Sequence, residues 1–206
     1  MKDVFANYIT HRSVQYLILG FALSVFGLFY LDLWAYWPWL LLVVASAPFY
    51  EWATHKYVLH SDLSEQAGWY RDFQIRLHHG HHLEPNNIEL QFAPISAIII
   101  MFVQLYAFYA LVTWSLSAAI MPLSGSLAYY LIYEWIHLAH HQSNYTPATQ
   151  AGQSLRDAHM RHHFHNENYN WGITNGLGDF LLGTWKTVKE VPKSPTAKNI
   201  SNYSGS

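Results

Sequence analysis

LAYYLIYEWIHLAHH, residues 127–141, carries an apolar, aromatic-rich run into a histidine cluster without a break. His137 and His141 are four residues apart, so a helix presents both on one face. The run before them, Leu116–Ile136, approaches the ~20 residues that a bilayer crossing needs, although Pro122, Ser124 and Gly125 interrupt it. The stretch therefore predicts a membrane-spanning helix whose end displays imidazoles. Glu134 sits one turn before His137, inside the predicted span. A carboxylate there is costly and points to function.

Three further apolar stretches lie outward from this one: Val14–Leu33, Trp34–Trp52 and Pro94–Trp114. Four such runs cannot all be buried inside a chain of 206 residues, so lipid is the expected solvent. The composition agrees. Charged residues are 12% of the chain, about half the usual share of a soluble domain. Aromatics are 17%, which suits interfacial belts. The mean hydropathy of +0.02 is low because His, Tyr and Trp depress the average. The first stretch is too long for a secretory signal and is not closely followed by a small-residue cleavage site, so an uncleaved anchor is expected.

Charge sets the expected topology. The joints near Leu31–Pro38 and Ser115–Ser124 contain no Lys or Arg. All 11 basic residues fall in the N-terminal segment, in Lys56–Arg76 or in the C-terminal third. With an even number of spans these segments share one side, and the positive-inside rule makes it the cytoplasm. Both termini and every histidine cluster lie on that side. The expected fold is an all-α integral membrane protein, with four transmembrane helices in two hairpins under a cytosolic helical cap. Residues 1–190 form one expected domain, and 191–206, rich in Ser, Asn, Pro and Lys, an expected disordered tail. Two glycosylation-like triplets start at Asn199 and Asn202; a cytoplasmic tail leaves both unmodified. The net charge of −2 gives no electrostatic case for nucleic acid. The absence of Cys excludes disulfides, iron–sulfur clusters, thiolate-ligated haem and Cys zinc sites within the chain.

All of the 14 histidines except His11 fall in four clusters: HKYVLH (55–60), HHGHH (78–82), HLAHH (137–141) and HMRHHFH (159–165). His78, His81 and His82, and again His159, His162 and His163, have the i, i+3, i+4 spacing of one helix face, and each set is expected to aim at one point. His55 and His60 are five apart; a frayed helix end or a local bulge is needed to bring them together. These ten histidines are the candidate metal ligands. One ion rarely takes more than six, so ten imply two metals. Imidazole suits iron, zinc, copper and nickel. The soluble di-iron pattern of paired Glu-x-x-His motifs is absent, since only Glu134-x-x-His137 fits it. So is the zinc-protease His-Glu-x-x-His. His79, His140 and His165 lie off the shared spacing and are expected in supporting or surface roles.

Tyr50-Glu51-Trp52-x-x-His55 echoes Tyr133-Glu134-Trp135-x-His137, each closing an inward-running span. Glu51 and Glu134 are expected to accept the free ring N–H of a ligating histidine and so fix its tautomer. Asp157 and Asp179 are weaker candidates for the same supporting role. GITNGLGDFLLG, residues 172–183, has the wrong spacing for a nucleotide loop. It reads as a turn followed by a short amphipathic helix on the membrane surface.

The four motifs, His-x4-His, His-x-x-His-His, His-x3-His and His-x-x-His-His in that order, resemble those of the fatty acid hydroxylase/sterol desaturase superfamily over about Pro48–Trp185. The interval from His60 to His78, the HLAHH motif and the closing Gly172-Ile173-Thr174, Gly178-Asp179 and Gly183-Thr184 look most like the fatty acid 2-hydroxylases that act on sphingolipid acyl chains. His55-Lys56-Tyr57 is also reminiscent of carotenoid hydroxylases. The resemblance implies that His55, His60, His78, His81, His82, His137, His141, His159, His162 and His163 ligate two iron ions, with zinc an occupant in purified protein. It implies O2-dependent hydroxylation of a lipid acyl chain, with electrons from an external donor. Many relatives carry a fused cytochrome b5 domain, for which this chain has no room, so a separate cytochrome b5-like or ferredoxin-like partner is expected. A sterol, carotenoid or other alkyl lipid, hydroxylated or desaturated, is the nearest alternative. A zinc-binding or zinc-transporting membrane protein is the alternative of another class. Transport sites lie near the mid-membrane, whereas these histidines lie at span ends, which favours catalysis.

Overall fold

The computed structural model describes residues 2–200. Every regular element among them is helical. Contacts divide the chain into two compact units.

One unit comprises residues 2–47 and 94–135. It contains helix α1 (Lys2–Thr10), α2 (Arg12–Tyr30), the first part of α3 (Leu40–Thr54), α7 (Ile95–Thr113) and most of α8 (Ile120–His140). The four expected spans correspond to α2, α3, α7 and α8. Among the described residues, two stretches are long and apolar enough to cross a membrane: Arg12–Tyr30 and Ile88–Thr113, which includes α7. A 3-10 segment, Trp34–Trp39, occupies the start of the expected second span. It leaves α3 only 15 residues long. Small residues let the helices approach: a Cβ on Gly125 would stand 2.7 Å from Leu40 Cδ2. Tyr109 and Ser126 satisfy each other's hydroxyls at 2.7 Å. The outer faces of α2 and α7 remain apolar, with Leu23, Phe26 and Phe29 on one and Val103 and Leu111 on the other all exposed. Such contiguous exposure suits lipid better than water.

The other unit comprises residues 48–93 and 136–200. It holds the end of α3, then α4 (Trp69–Gln74), α5 (Gly80–Leu83), α6 (Ile88–Gln91), the end of α8, α9 (Gln150–Phe164) and α10 (Leu177–Leu181). Two π-helical turns are built into it. His55–Leu59 prolongs α3, and Ile75–His79 joins α4 to α5. Thr149 caps α9, its side chain accepting from Gly152 N at 3.1 Å. The glycine-rich stretch after α9 is a place of close approach. A Cβ on Gly172 would meet Asn175 O at 2.1 Å, and one on Gly178 would meet Pro48 O and Trp52 Cβ at 2.9 Å. The short helix expected there is α10, whose Leu177, Phe180 and Leu181 are exposed.

Residues 191–197, the start of the expected tail, are hydrogen-bonded onto this unit. Residues 201–206, including the triplet at Asn202, lie outside the described residues.

The Gly178 contact predicts that Gly178→Ala forces the backbone of Pro48 and Gly178 apart. We expect a stability loss of roughly 1–3 kcal/mol, the usual cost of overpacking, read as a lowered thermal midpoint in detergent.

Candidate metal centre

The helices bring all ten candidate histidines into two groups of five: His55, His60, His78, His82 and His162, and His81, His137, His141, His159 and His163. Within each group the ring nitrogens that face inward lie within 4.8 Å of one another. Eight of the ten are buried, and His60 and His141 are half-buried.

The first pair needs the π turn. His60 N donates to His55 O at 3.1 Å, an i to i+5 bond. One residue more per turn puts positions five apart on one face, which meets the expectation of a local bulge. A second π turn precedes Gly80, where a Cβ would stand 3.0 Å from Ile75 O.

The two His-x-x-His-His motifs behave differently from the expectation that each aims at one point. Each is split. His78 and His82 join the first group while His81 joins the second; His159 and His163 join the second while His162 joins the first. Helix geometry explains it. Positions i and i+4 differ by about 40°, whereas i+3 lies about 60° to the other side of i. A helix running between two sites therefore sends two imidazoles one way and one the other. The groups touch where His82 stacks on His163, with ring centroids 4.1 Å apart and planes at 24°.

Backbone carbonyls fix the tautomers. His55 Nδ1 donates to Trp171 O at 2.6 Å, His82 Nδ1 to Ala197 O at 3.0 Å, His137 Nδ1 to Gln91 O at 2.9 Å and His162 Nδ1 to Tyr169 O at 2.9 Å. A carbonyl oxygen only accepts, so each Nδ1 carries the proton and each Nε2 presents a lone pair. In the first group, His78 Nε2 lies 3.1 Å from Nε2 of His55, His60 and His82. One N–H cannot serve three acceptors. In the second, His81 Nε2 lies 3.0 Å from His137 Nε2 and 3.1 Å from His141 Nε2. His163 is fully buried with no hydrogen bond at either ring nitrogen. Converging lone pairs and a wholly unpartnered buried imidazole fit a cation at each centre, because burying an unsatisfied polar group otherwise costs about 1–3 kcal/mol.

Burial also keeps these rings neutral. It lowers His55 to about 4 and His82 to about 3, and moves His60, His78, His81, His159, His162 and His163 in the same direction. Neighbouring imidazoles add to the shift for His60 and His78.

Two of the four carboxylates, Glu51 and Asp179, hold backbone beside the first group. Glu51 Oε1 accepts from the backbone N–H groups of Ile173 and Thr174, and Oε2 from the Thr174 hydroxyl at 2.5 Å. Asp179 accepts from Trp171 N at 2.9 Å and Gly172 N at 2.6 Å. Both brace residues 171–174, whose Trp171 carbonyl orients His55. Glu134 is buried in the other unit. Burial first, then the charge of Glu134, raises Tyr8 to about 12. Asp157 is exposed on α9. His79 Nε2 donates to Ser61 O at 3.1 Å and His165 Nε2 to Val191 O at 2.9 Å, so both tie loops down. His140 is buried and outside both groups. Trp171 was not singled out by its sequence. Its indole packs on His55, His60 and His162 with centroids at 5.5, 4.8 and 5.1 Å.

The sequence model of the fatty acid hydroxylase family matches residues 39–184. Dihydroceramide fatty acyl 2-hydroxylase FAH1 of Arabidopsis thaliana is 29% identical over 143 residues, 68% of this chain and 57% of its own length. FAH2 of the same plant is 27% identical over 144 residues, 69% and 58% respectively. The chain thus spans under three fifths of the length of these curated relatives. Among solved structures, full-length Scs7p, of which only the hydroxylase domain is visible, matches with a TM-score of 0.61 at 20% identity. That match covers 94% of this chain and 66% of Scs7p, and it shows a shared fold.

The lowered histidines set a pH dependence for metal-free protein. An unfolded histidine titrates near the ordinary 6.5, whereas the folded His55 and His82 stay neutral to about 4 and about 3. Below 6.5 the unfolded chain binds more protons, so stability is held above that pH and lost as pH falls through it. Thermal midpoints of metal-free protein are expected to drop steadily from pH 7 to pH 5; a flat profile would contradict neutral burial.

Proposed function

The chain belongs to the fatty acid hydroxylase family, and on that premise we propose that it is an integral membrane monooxygenase. It hydroxylates a lipid acyl chain with O2 at a His-ligated di-iron centre, and 2-hydroxylation of a fatty acid or ceramide-type chain is the favoured reaction. The observation that carries the reading is the division of ten imidazoles into two groups of five. The plant relatives are dihydroceramide fatty acyl 2-hydroxylases by name, which supports the substrate class.

His55, His60, His78, His82 and His162 hold one ion, and His81, His137, His141, His159 and His163 the other. Bound iron supplies the O2 chemistry: with two electrons and two protons from outside, one oxygen enters a C–H bond and the other leaves as water. The chain's own work is to hold ten neutral donors in place and keep water away. The carbonyls of Trp171, Ala197, Gln91 and Tyr169 set the donor atoms. The Trp171 indole walls the first group. A separate cytochrome b5-like or ferredoxin-like protein delivers the electrons.

Helices α2, α3, α7 and α8 are the four spans of this reading, arranged as two hairpins, with the histidines and both termini at the cytoplasmic face. The exposed Leu177, Phe180 and Leu181 of α10 rest on the membrane surface.

Lipid mass spectrometry of expressing cells, with a redox partner co-expressed and iron supplied, tests the chemistry. The wild type should yield a lipid heavier by one oxygen in air and by one heavy oxygen under 18O2, and His162→Ala should yield none. No lipid difference between the two would sink the hydroxylase reading.

Topology is tested on a background with no native Cys. An impermeant maleimide is expected to label Ala35→Cys and Ser117→Cys in intact cells. Glu65→Cys and Lys189→Cys should react only after permeabilisation. The reverse pattern would overturn the orientation.

A further inference from the structure

The segment 191–197 has no regular structure and takes no part in the chemistry above, yet it is fastened to the cap at several points. His165 Nε2 donates to Val191 O at 2.9 Å, Asn166 Nδ2 to Pro192 O at 2.9 Å, and Ser194 N to His165 O at 2.8 Å. Glu167, itself buried, then takes both hydroxyls of the segment on one oxygen. Ser194 Oγ donates to Glu167 Oε1 at 2.9 Å and Thr196 Oγ1 donates to the same atom at 2.5 Å. The next residue, Ala197, is 2% exposed, and its carbonyl receives the Nδ1–H of His82.

We propose that Glu167 is a positioning residue for the first metal group, acting through a strap, residues 191–197, that delivers the Ala197 carbonyl to His82. The inference rests on the metal reading above and goes beyond it, because it assigns a task to a carboxylate and a segment outside every histidine motif.

Three observations support it. First, the strap is held by hydrogen bonds rather than by packing on all sides: an open groove of about 430 Å³ lies beside it, lined by Phe164, Lys193, Ser194, Pro195, Ala197 and Lys198. Releasing the two hydroxyls therefore removes the side-chain anchors nearest Ala197. Second, His82 depends on that carbonyl for its tautomer. Without it the proton is free to move to Nε2, the atom that faces His78 at 3.1 Å, and a protonated Nε2 cannot ligate. Third, the effect is one-sided. The strap's carbonyl goes to His82 of the first group, whereas His137 of the second takes its acceptor from Gln91.

The test is Co(II) uptake by metal-free full-length protein, followed through the visible d–d bands. The wild type should take up two ions. Glu167→Ala should weaken one of the two steps by about 10- to 100-fold, the usual range for losing a partner of a metal-bound histidine, and leave the other unchanged. The double variant Ser194→Ala/Thr196→Val should do the same without touching the carboxylate. Glu167→Gln keeps an oxygen for the two hydroxyls and puts an amide where Oε2 has no partner, so it should bind as the wild type does. Equal weakening of both steps, or none, in the first two variants would overturn the proposal. A wild type that takes up no Co(II) would overturn the metal reading itself, and this inference with it.

Discussion

A donated ring N–H on a backbone carbonyl is the interaction on which the rest of the histidine-bearing unit depends. An imidazole has two nitrogens and, when neutral, one proton. Whichever nitrogen the protein hydrogen-bonds to a carbonyl must hold that proton, and the other becomes a ligand. Four of the ten histidines are set in this way, by Trp171, Ala197, Gln91 and Tyr169. Burial does the second half of the work. It makes the charged imidazolium too costly, so the inward nitrogens keep their lone pairs at neutral pH. Neither effect is sufficient alone: a buried ring with the wrong tautomer presents an N–H, and a well-oriented ring in water titrates near 6.5.

The two groups are built by one recipe used twice. Each takes a pair from a short motif at the end of a long helix, His55 and His60 after α3 or His137 and His141 on α8. Each adds an i, i+4 pair from one His-x-x-His-His and the i+3 residue of the other. The exchange of those single residues, His81 and His162, makes the groups interdependent: neither α9 nor the π-turn and α5 segment can move without disturbing both. The two groups meet where His82 stacks on His163. The difference between the copies is local. One short motif has a spacing of five and needs a π turn, while the other has a spacing of four and fits an ordinary helix.

Much of this was legible in the sequence, because the relevant signals are spacings of a distinctive side chain. The ten histidines, the need for a bulge between His55 and His60, and the supporting roles of His79 and His165 all follow from counting residues along a helix. What was not legible depends on backbone atoms. A carbonyl acceptor has no sequence signature, so Trp171, Ala197, Gln91 and Tyr169 could not be picked out. For the same reason the backbone of residues 171–174, which Glu51 and Asp179 hold, could not be picked out as their partner. The Ser-, Asn-, Pro- and Lys-rich composition of 191–206 reads as disordered, and composition does not reveal that the hydroxyls of Ser194 and Thr196 meet one buried carboxylate. The split of each His-x-x-His-His was within reach, since the angular positions require only that the helix run between two centres.

The placement of the acceptors also says when the first group becomes competent. His55, His60, His78 and His82 are made early in the chain. Their partner His162, and the carbonyls of Tyr169, Trp171 and Ala197 that orient the group, all come from its last quarter. Until that part has folded, those four imidazoles lack a fifth donor and two of them lack tautomer control. Metal affinity is then low, because binding must also order the site. The second group waits on the same region for His159 and His163. On the proposed reading, metal loading would be tied to completion of this unit: the ions would stabilise the docking of α9 and residues 169–197 onto the earlier helices of the unit, and that docking would in turn create the sites.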